Sequence, residues 1–288
     1  MRRTLLFGSS LVVALSLAAC SASSNGSSTG SSSTSAAAAT CTPANLSTHT
    51  AGTLTVATDS PAYEPWFSNN KPSNGKGFES AVAFAVAKQL GYTPEQVKWV
   101  TASFNSVIAP TPKKYDFDIN EVSITPARAK AVDFSTGYYD VAQSVITLKG
   151  SKIANAKSIA DLHGAKLGAQ QGTTSLDAIT GVIKPGTTPA EYPTNDLAVQ
   201  ALKNGQIDGL VVDLPTGLYI TAAELDNSII VGQLPVTGTP EQFGLVLTKA
   251  SPLTSCVSKA VDALRADGTL TALQQQWLTT SAGAPELS

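Results

Sequence analysis

Short apolar runs alternate with longer stretches of helical period from about residue 46 onward. Residues 54–57 (Leu-Thr-Val-Ala) predict a strand running into the turn Thr58-Asp59-Ser60-Pro61. Residues 78–90 place Phe78, Val82, Ala85, Val86 and Leu90 on one helical face, with Gly91 as the stop. Residues 97–100 and 117–122 predict two further strands, the latter after an exposed Lys113-Lys114-Tyr115-Asp116, and 141–148 predicts a longer one. The plan then restarts. Residues 165–169 predict a strand leading into Gln170-Gln171-Gly172-Thr173-Thr174, where a helix begins. Asp196 is placed as the cap of a helix that turns Leu197, Ala201 and Leu202 inward and ends at Gly205. Strands follow at 207–212 and 243–247. Two helices close the pattern, one carrying Leu253, Val257, Val261 and Leu264, the other Leu270, Leu273 and Trp277. Strands alternating with helices predict an α/β fold.

The two halves correspond in detail. Asp118 and Asp208 sit at matching strand starts, and five residues on lie Ser123 and Asp213. Ligands in open α/β sheets bind beyond the carboxyl ends of strands. Asp59, Ser123, the 172–174 turn and Asp213 all fall at such ends, so two lobes facing a cleft are expected.

The first 40 residues follow other rules. Met1-Arg2-Arg3 precedes an uncharged apolar run over 5–19, the pattern of a signal peptide over residues 1–19. The run ends in Leu17-Ala18-Ala19-Cys20, which resembles a bacterial lipobox and implies lipidation at Cys20. Residues 21–40 hold only Ser, Ala, Thr, Gly and Asn, too little apolar surface to offset ordering. We read residues 20–44 as a flexible linker between a lipid anchor on the cell membrane and an extracytoplasmic domain.

That location makes Cys41 and Cys256, the remaining cysteines, plausible disulfide partners. Charge narrows the function. The net charge is -2, about -4 without Arg2 and Arg3, and no basic block exists to neutralise phosphates, so nucleic acid is not an expected partner. Two isolated histidines argue against a zinc site, and neither a metal nor a cofactor is called for. No Gly-x-Ser-x-Gly elbow marks a nucleophilic hydrolase.

Arg128 is the one arginine between Arg3 and Arg265, and its planar fork matches a carboxylate. The Gly172-Thr173-Thr174 turn offers N–H groups and hydroxyls to the same anion. Asp213 can accept from an ammonium group. A cation for a carboxylate and a carboxylate for an ammonium describe an α-amino acid site.

Five segments then carry a resemblance: Leu54-Thr55-Val56-Ala57-Thr58-Asp59; Gly77-Phe78-Glu79; Ser123-Ile124-Thr125-Pro126-Ala127-Arg128 with Val132-Asp133-Phe134-Ser135; Gln171-Gly172-Thr173-Thr174; and Gly205-Gln206-Ile207-Asp208 leading to Asp213. Over residues 50–280 the chain resembles family 3 extracellular solute-binding proteins, the polar amino acid receptors of ABC importers. The resemblance implies a type II periplasmic-binding-protein fold, with lobe I at 45–142 and 243–280 and lobe II at 143–242. Strand crossings are expected near 141–146 and 239–243. It implies that Ser123, Arg128 and Thr174 hold the ligand carboxylate, that Asp213 holds its amino group, and that Asp59, Tyr63 and Phe104 flank its side chain. Partners would be an amino acid and the membrane permease subunits, and the receptor itself a monomer.

Three positions depart from the family. Glu121 stands where glycine or serine is common, Ala81 replaces a frequent acid, and Tyr63 is shifted by one place. Ser123 and Glu121 are two apart on a predicted strand, so both are expected to face the cleft, with Glu121 meeting the ligand side chain. The rival readings are a sensory receptor and a dehydratase on the same scaffold, the latter using Glu121 or Asp59 as general acid.

Overall fold

The computed structural model describes residues 41–236, 238–278 and 284–288. The expected signal peptide, Cys20 and nearly all of the expected linker lie outside the described residues. Among the described residues no helix is long and apolar enough to cross a membrane.

Two five-stranded sheets form the two lobes. The first has the order β2-β1-β3-β10-β4, built from β1 (Leu54–Thr58), β2 (Val97–Thr101), β3 (Phe117–Asp118), β4 (Val132–Val141) and β10 (Glu241–Thr248). The second has the order β7-β6-β8-β5-β9, built from β5 (Gln143–Leu148), β6 (Leu167–Gln170), β7 (Ala190–Tyr192), β8 (Gly209–Asp213) and β9 (Ser228–Gln233). In each sheet the strand second from one edge, β10 or β5, runs antiparallel and has arrived from the other lobe. The chain changes sheets at Ala142, between β4 and β5, and again between β9 and β10.

Helices cover both faces. α1 (Phe78–Gln89), α6 (Thr254–Ala266) and α7 (Thr269–Leu278) pack on the first sheet through Val82, Val86, Val257, Val261 and Leu264. α2 (Phe104–Ile108) covers its other face with Val107 and Phe104 against Val122 and Val246. In the second lobe Val145 and Val211 face one core and Ile146, Leu210 and Val212 the other, as strand alternation requires. α3 (Thr174–Ala178), α4 (Asn195–Lys203) and α5 (Leu214–Tyr219) complete that lobe. The disulfide Cys41–Cys256 joins the segment before β1 to α6, with Cα atoms 5.5 Å apart.

Several elements differ from expectation. The strand expected at 117–122 pairs only at Phe117–Asp118, because Glu121 takes a left-handed φ of 54° and takes the chain out of the ladder. Ser123 rejoins by a single bridge to Phe243. The strand expected at 141–148 is two strands in different lobes, and β4, β7 and β9 had no counterpart in the periodicity. Thr194, not Asp196, caps α4, accepting from Leu197 N at 3.3 Å, while Leu197 is 49% exposed rather than inward. Tyr115 and Asp116 are buried, and Asp116 accepts from the N–H groups of His49 and Thr55 at 2.6 Å each.

The last described residues belong to the second lobe. Gln233 donates to Pro285 O and Leu287 to Gln233 O, at 2.8 and 2.9 Å, and Leu287 is buried in that lobe's core.

Candidate functional site

The site lies where the two sheets' strand ends meet. Its floor is set by residues that never touch solvent. Glu79, fully buried in the first turn of α1, accepts from Glu121 N at 2.7 Å and from the Tyr138 hydroxyl. It holds the loop that leaves β3. Gly77 before it has φ 92°, and a Cβ there would stand 2.4 Å from Trp66 O, so only glycine fits. Trp66 in turn packs edge-on against Phe78, Tyr139 and Phe243. Its indole N–H donates to Thr216 Oγ1 of the second lobe at 2.8 Å.

One cavity, open to solvent at its mouth, gathers most of the predicted residues. Asp59, Tyr63, Phe104, Glu121 and Arg128 line it from the first lobe. Thr173, Thr174 and Asp213 line it from the second. Asn120, Gln170, Ser175 and Asn195 line it as well and were not singled out by the sequence, though Gln170 and Ser175 flank the glycine turn. Ser123 is 1% exposed and sits behind the wall rather than in it.

The Asp59 carboxylate accepts from the N–H groups of Ser60 and Phe104, at 2.7 and 3.1 Å, and so fixes the start of α2. That places the Phe104 ring 5.3 Å beneath the Arg128 guanidinium. Arg128 donates through Nη1 to Ser123 O at 2.7 Å and through Nη2 to Gly172 O at 2.9 Å. Two of its five N–H groups are thereby used, and three remain. Burial draws its pKa down, opposed by the charges of Glu241, Asp177 and Asp213.

On the second lobe, Gly172 has φ 75°, and a Cβ there would stand 2.9 Å from the Asn105 side chain, so glycine lets the lobes approach. The Thr173 hydroxyl donates to Gln170 O and accepts from Leu176 N, so its single hydrogen is spent inside the turn. Asp213 at the end of β8 accepts from Gln143 Nε2 at 2.7 Å. Burial and then the Glu241 charge push its pKa up to about 8, against the pull of Gln143 and Arg128.

Glu121 lines the cavity and accepts from Thr216 Oγ1 at 3.2 Å. Enclosure, then the neighbouring Glu79, raises its pKa well above the usual carboxylate range. Its backbone is left-handed, a conformation glycine adopts freely and in which a side chain costs roughly 1–2 kcal/mol. Glu121 bears that cost and presents a carboxyl to the cavity. The bonds Arg128–Gly172, Trp66–Thr216 and Thr216–Glu121 all cross between lobes, which are closed on one another.

Two residues of the site gave no signal in the sequence. Gln143, at the start of β5, donates to Asp213 and, at 3.2 Å, to Glu241 Oε2. Glu241, at the start of β10, accepts through Oε1 from the hydroxyls of Ser123 and Thr174, the latter at 2.5 Å.

The family model for bacterial extracellular solute-binding proteins, family 3, matches residues 54–280. The ABC transporter arginine-binding protein 1 of Escherichia coli (strain K12) is 31% identical over 76% of this chain and 88% of its own. A solved ancestral arginine-binding protein bound to arginine superposes with TM-score 0.66 at 32% identity, over 78% of this chain and 98% of that one. An ancestral amino acid-binding protein, a precursor of cyclohexadienyl dehydratase, superposes with TM-score 0.64 at 30% identity, over 79% and 95%. With a match that spans most of the described residues and both lobes of the cleft, the chain belongs to the bacterial extracellular solute-binding proteins of family 3.

Proposed function

We propose that this protein is the receptor of an ABC importer, tethered outside the cell membrane through Cys20, which closes as a monomer over one amino acid. The ligand has a donor-bearing side chain, arginine foremost. One observation carries the reading: a single cavity holds Arg128 with three free N–H groups on one lobe and Asp213 on the other. Arg128 takes the α-carboxylate and Asp213 the α-ammonium. Phe104 forms an aromatic wall, and Asp59, Tyr63 and Glu121 surround the side chain.

Glu121 and Asp59 sharpen the specificity. Once Arg128 holds the α-carboxylate, no other cation among the described residues lines the cavity to pair an anionic side chain, whereas a donor-bearing side chain finds acceptor oxygens on Asp59 and Glu121. The relatives named for arginine support the same choice, and the lipobox-like Leu17-Ala18-Ala19-Cys20 supports the tether. A panel of thermal shifts over glutamine, asparagine, arginine, lysine, glutamate and aspartate tests the reading on protein beginning at residue 41. Arginine and the other donor-bearing amino acids should give the large shifts. A largest shift with glutamate or aspartate contradicts it.

A further inference from the structure

Ser123 and Thr174 stand on opposite lobes with their hydroxyl oxygens 3.2 Å apart. Both hydroxyls donate to the same oxygen, Oε1 of Glu241. A hydroxyl carries one hydrogen and two lone pairs, whereas an ionised carboxylate only accepts. Each hydrogen is therefore directed at Glu241, and what each oxygen has left is acceptor capacity. Neither hydroxyl can donate to a ligand carboxylate while Glu241 holds it.

The other oxygen of Glu241 extends the same order. Gln143 Nε2 donates to Glu241 Oε2 and to Asp213 Oδ1, at 3.2 and 2.7 Å, and the Gln143 carbonyl is fixed by the Ser175 hydroxyl at 2.7 Å. Two acceptors thus meet at one end of the cleft: the Asp213 carboxylate that an ammonium would leave ionised, and the Thr174 oxygen, which Gln143 Nε2 also approaches at 3.5 Å and Ser123 backs. Arg128 is the donor on the other side.

We propose that Glu241 is a positioning residue for the ligand's α-ammonium: it takes the hydrogens of Ser123 and Thr174 and so leaves Thr174, backed by Ser123, as an acceptor in the cavity that Asp213 also lines. The role rests on the reading of the cavity as an amino acid site. It also reassigns both hydroxyls, which the family resemblance gave to the carboxylate. Glu241 begins the strand that returns from the second lobe, and its bonds reach one residue on each lobe, so the acceptor set exists only when the cleft is closed.

The test uses L-arginine and 5-guanidinopentanoate, which has the same carboxylate and side chain but no α-amino group. Calorimetry gives the affinity ratio of the two for wild type, Glu241→Gln and Glu241→Leu, with thermal unfolding recording that each variant is folded. Hydrogen bonds to charged groups make the ratio fall about tenfold or more in the leucine variant. The glutamine variant, which keeps an acceptor without the charge, should fall between. Equal losses for both ligands, or a ratio that does not change, overturn the role of Glu241 and leave the amino acid site standing. Failure of both ligands to bind wild type overturns the site reading and this proposal with it.

Discussion

Asp213 shows how one residue couples binding to protons. Burial and the nearby Glu241 raise its pKa from the ordinary 3.8 to about 8, so at neutral pH it is largely protonated in the unliganded cleft. An ammonium ligand needs the carboxylate, and binding must expel the proton. Calorimetry of arginine at about pH 7, in phosphate and in Tris, should show proton release, and affinity should rise from about pH 6 to 8. The same shift acts on stability. A folded pKa above the unfolded one contributes stability that is complete below about pH 4 and is lost as the pH climbs through about 8. Thermal midpoints of the unliganded protein should therefore decline across that window, and Asp213→Asn should flatten the decline. Buffer-independent heats would show that Asp213 is already ionised. Asp213 and Arg128 were legible because residue type and position near strand ends agree, whereas Phe104 came only with the family resemblance. Glu241 was not, since a single acid ahead of Phe243 belongs to no pattern and its role depends on two hydroxyls far off in sequence.

At the scale of elements, the periodicity found the long helices and the central strands and misread the places where the chain bends. Phe117, Ile119 and Val122 read as one strand, but the left-handed Glu121 between them breaks the ladder after Asp118. Residues 141–148 read as one strand because both sides of Ala142 are apolar, and alternation carries no mark of a change of sheet. Edge strands β7 and β9 are half-exposed or short, which removes the contrast that marks a strand. The disulfide is the element whose effect on stability is easiest to isolate. Cys41 and Cys256 close a loop of 215 residues, for which chain entropy sets a ceiling of about 5 kcal/mol. Cys41→Ser with Cys256→Ser should lower the thermal midpoint and leave arginine affinity unchanged, because neither α6 nor the Cys41 segment lines the cavity. A matching loss of affinity would mean that the bridge shapes the cleft.

For the whole molecule, the two sheets repeat one order with their antiparallel strands exchanged, and this exchange brings four strand ends to one cavity. The repeat was visible in sequence through Asp118 and Asp208, and through Ser123 and Asp213. The return of residues 284–288 to β9 was not, because a five-residue segment is too short to show a period. Closure rests on few direct bonds, among them Arg128 to Gly172 and Trp66 to Thr216, so a ligand spanning both lobes adds a large share of what holds them together. In the proposed receptor Arg128 grips the carboxylate of such a ligand, and breaking that pair costs about 2–5 kcal/mol. The direct measurement is calorimetry of arginine and of agmatine, its decarboxylated form, on wild type and Arg128→Ala. Wild type should prefer arginine by two orders of magnitude or so, and the variant should bind the two nearly alike. An undiminished preference for arginine in Arg128→Ala would show that the carboxylate lies elsewhere and would contradict the account.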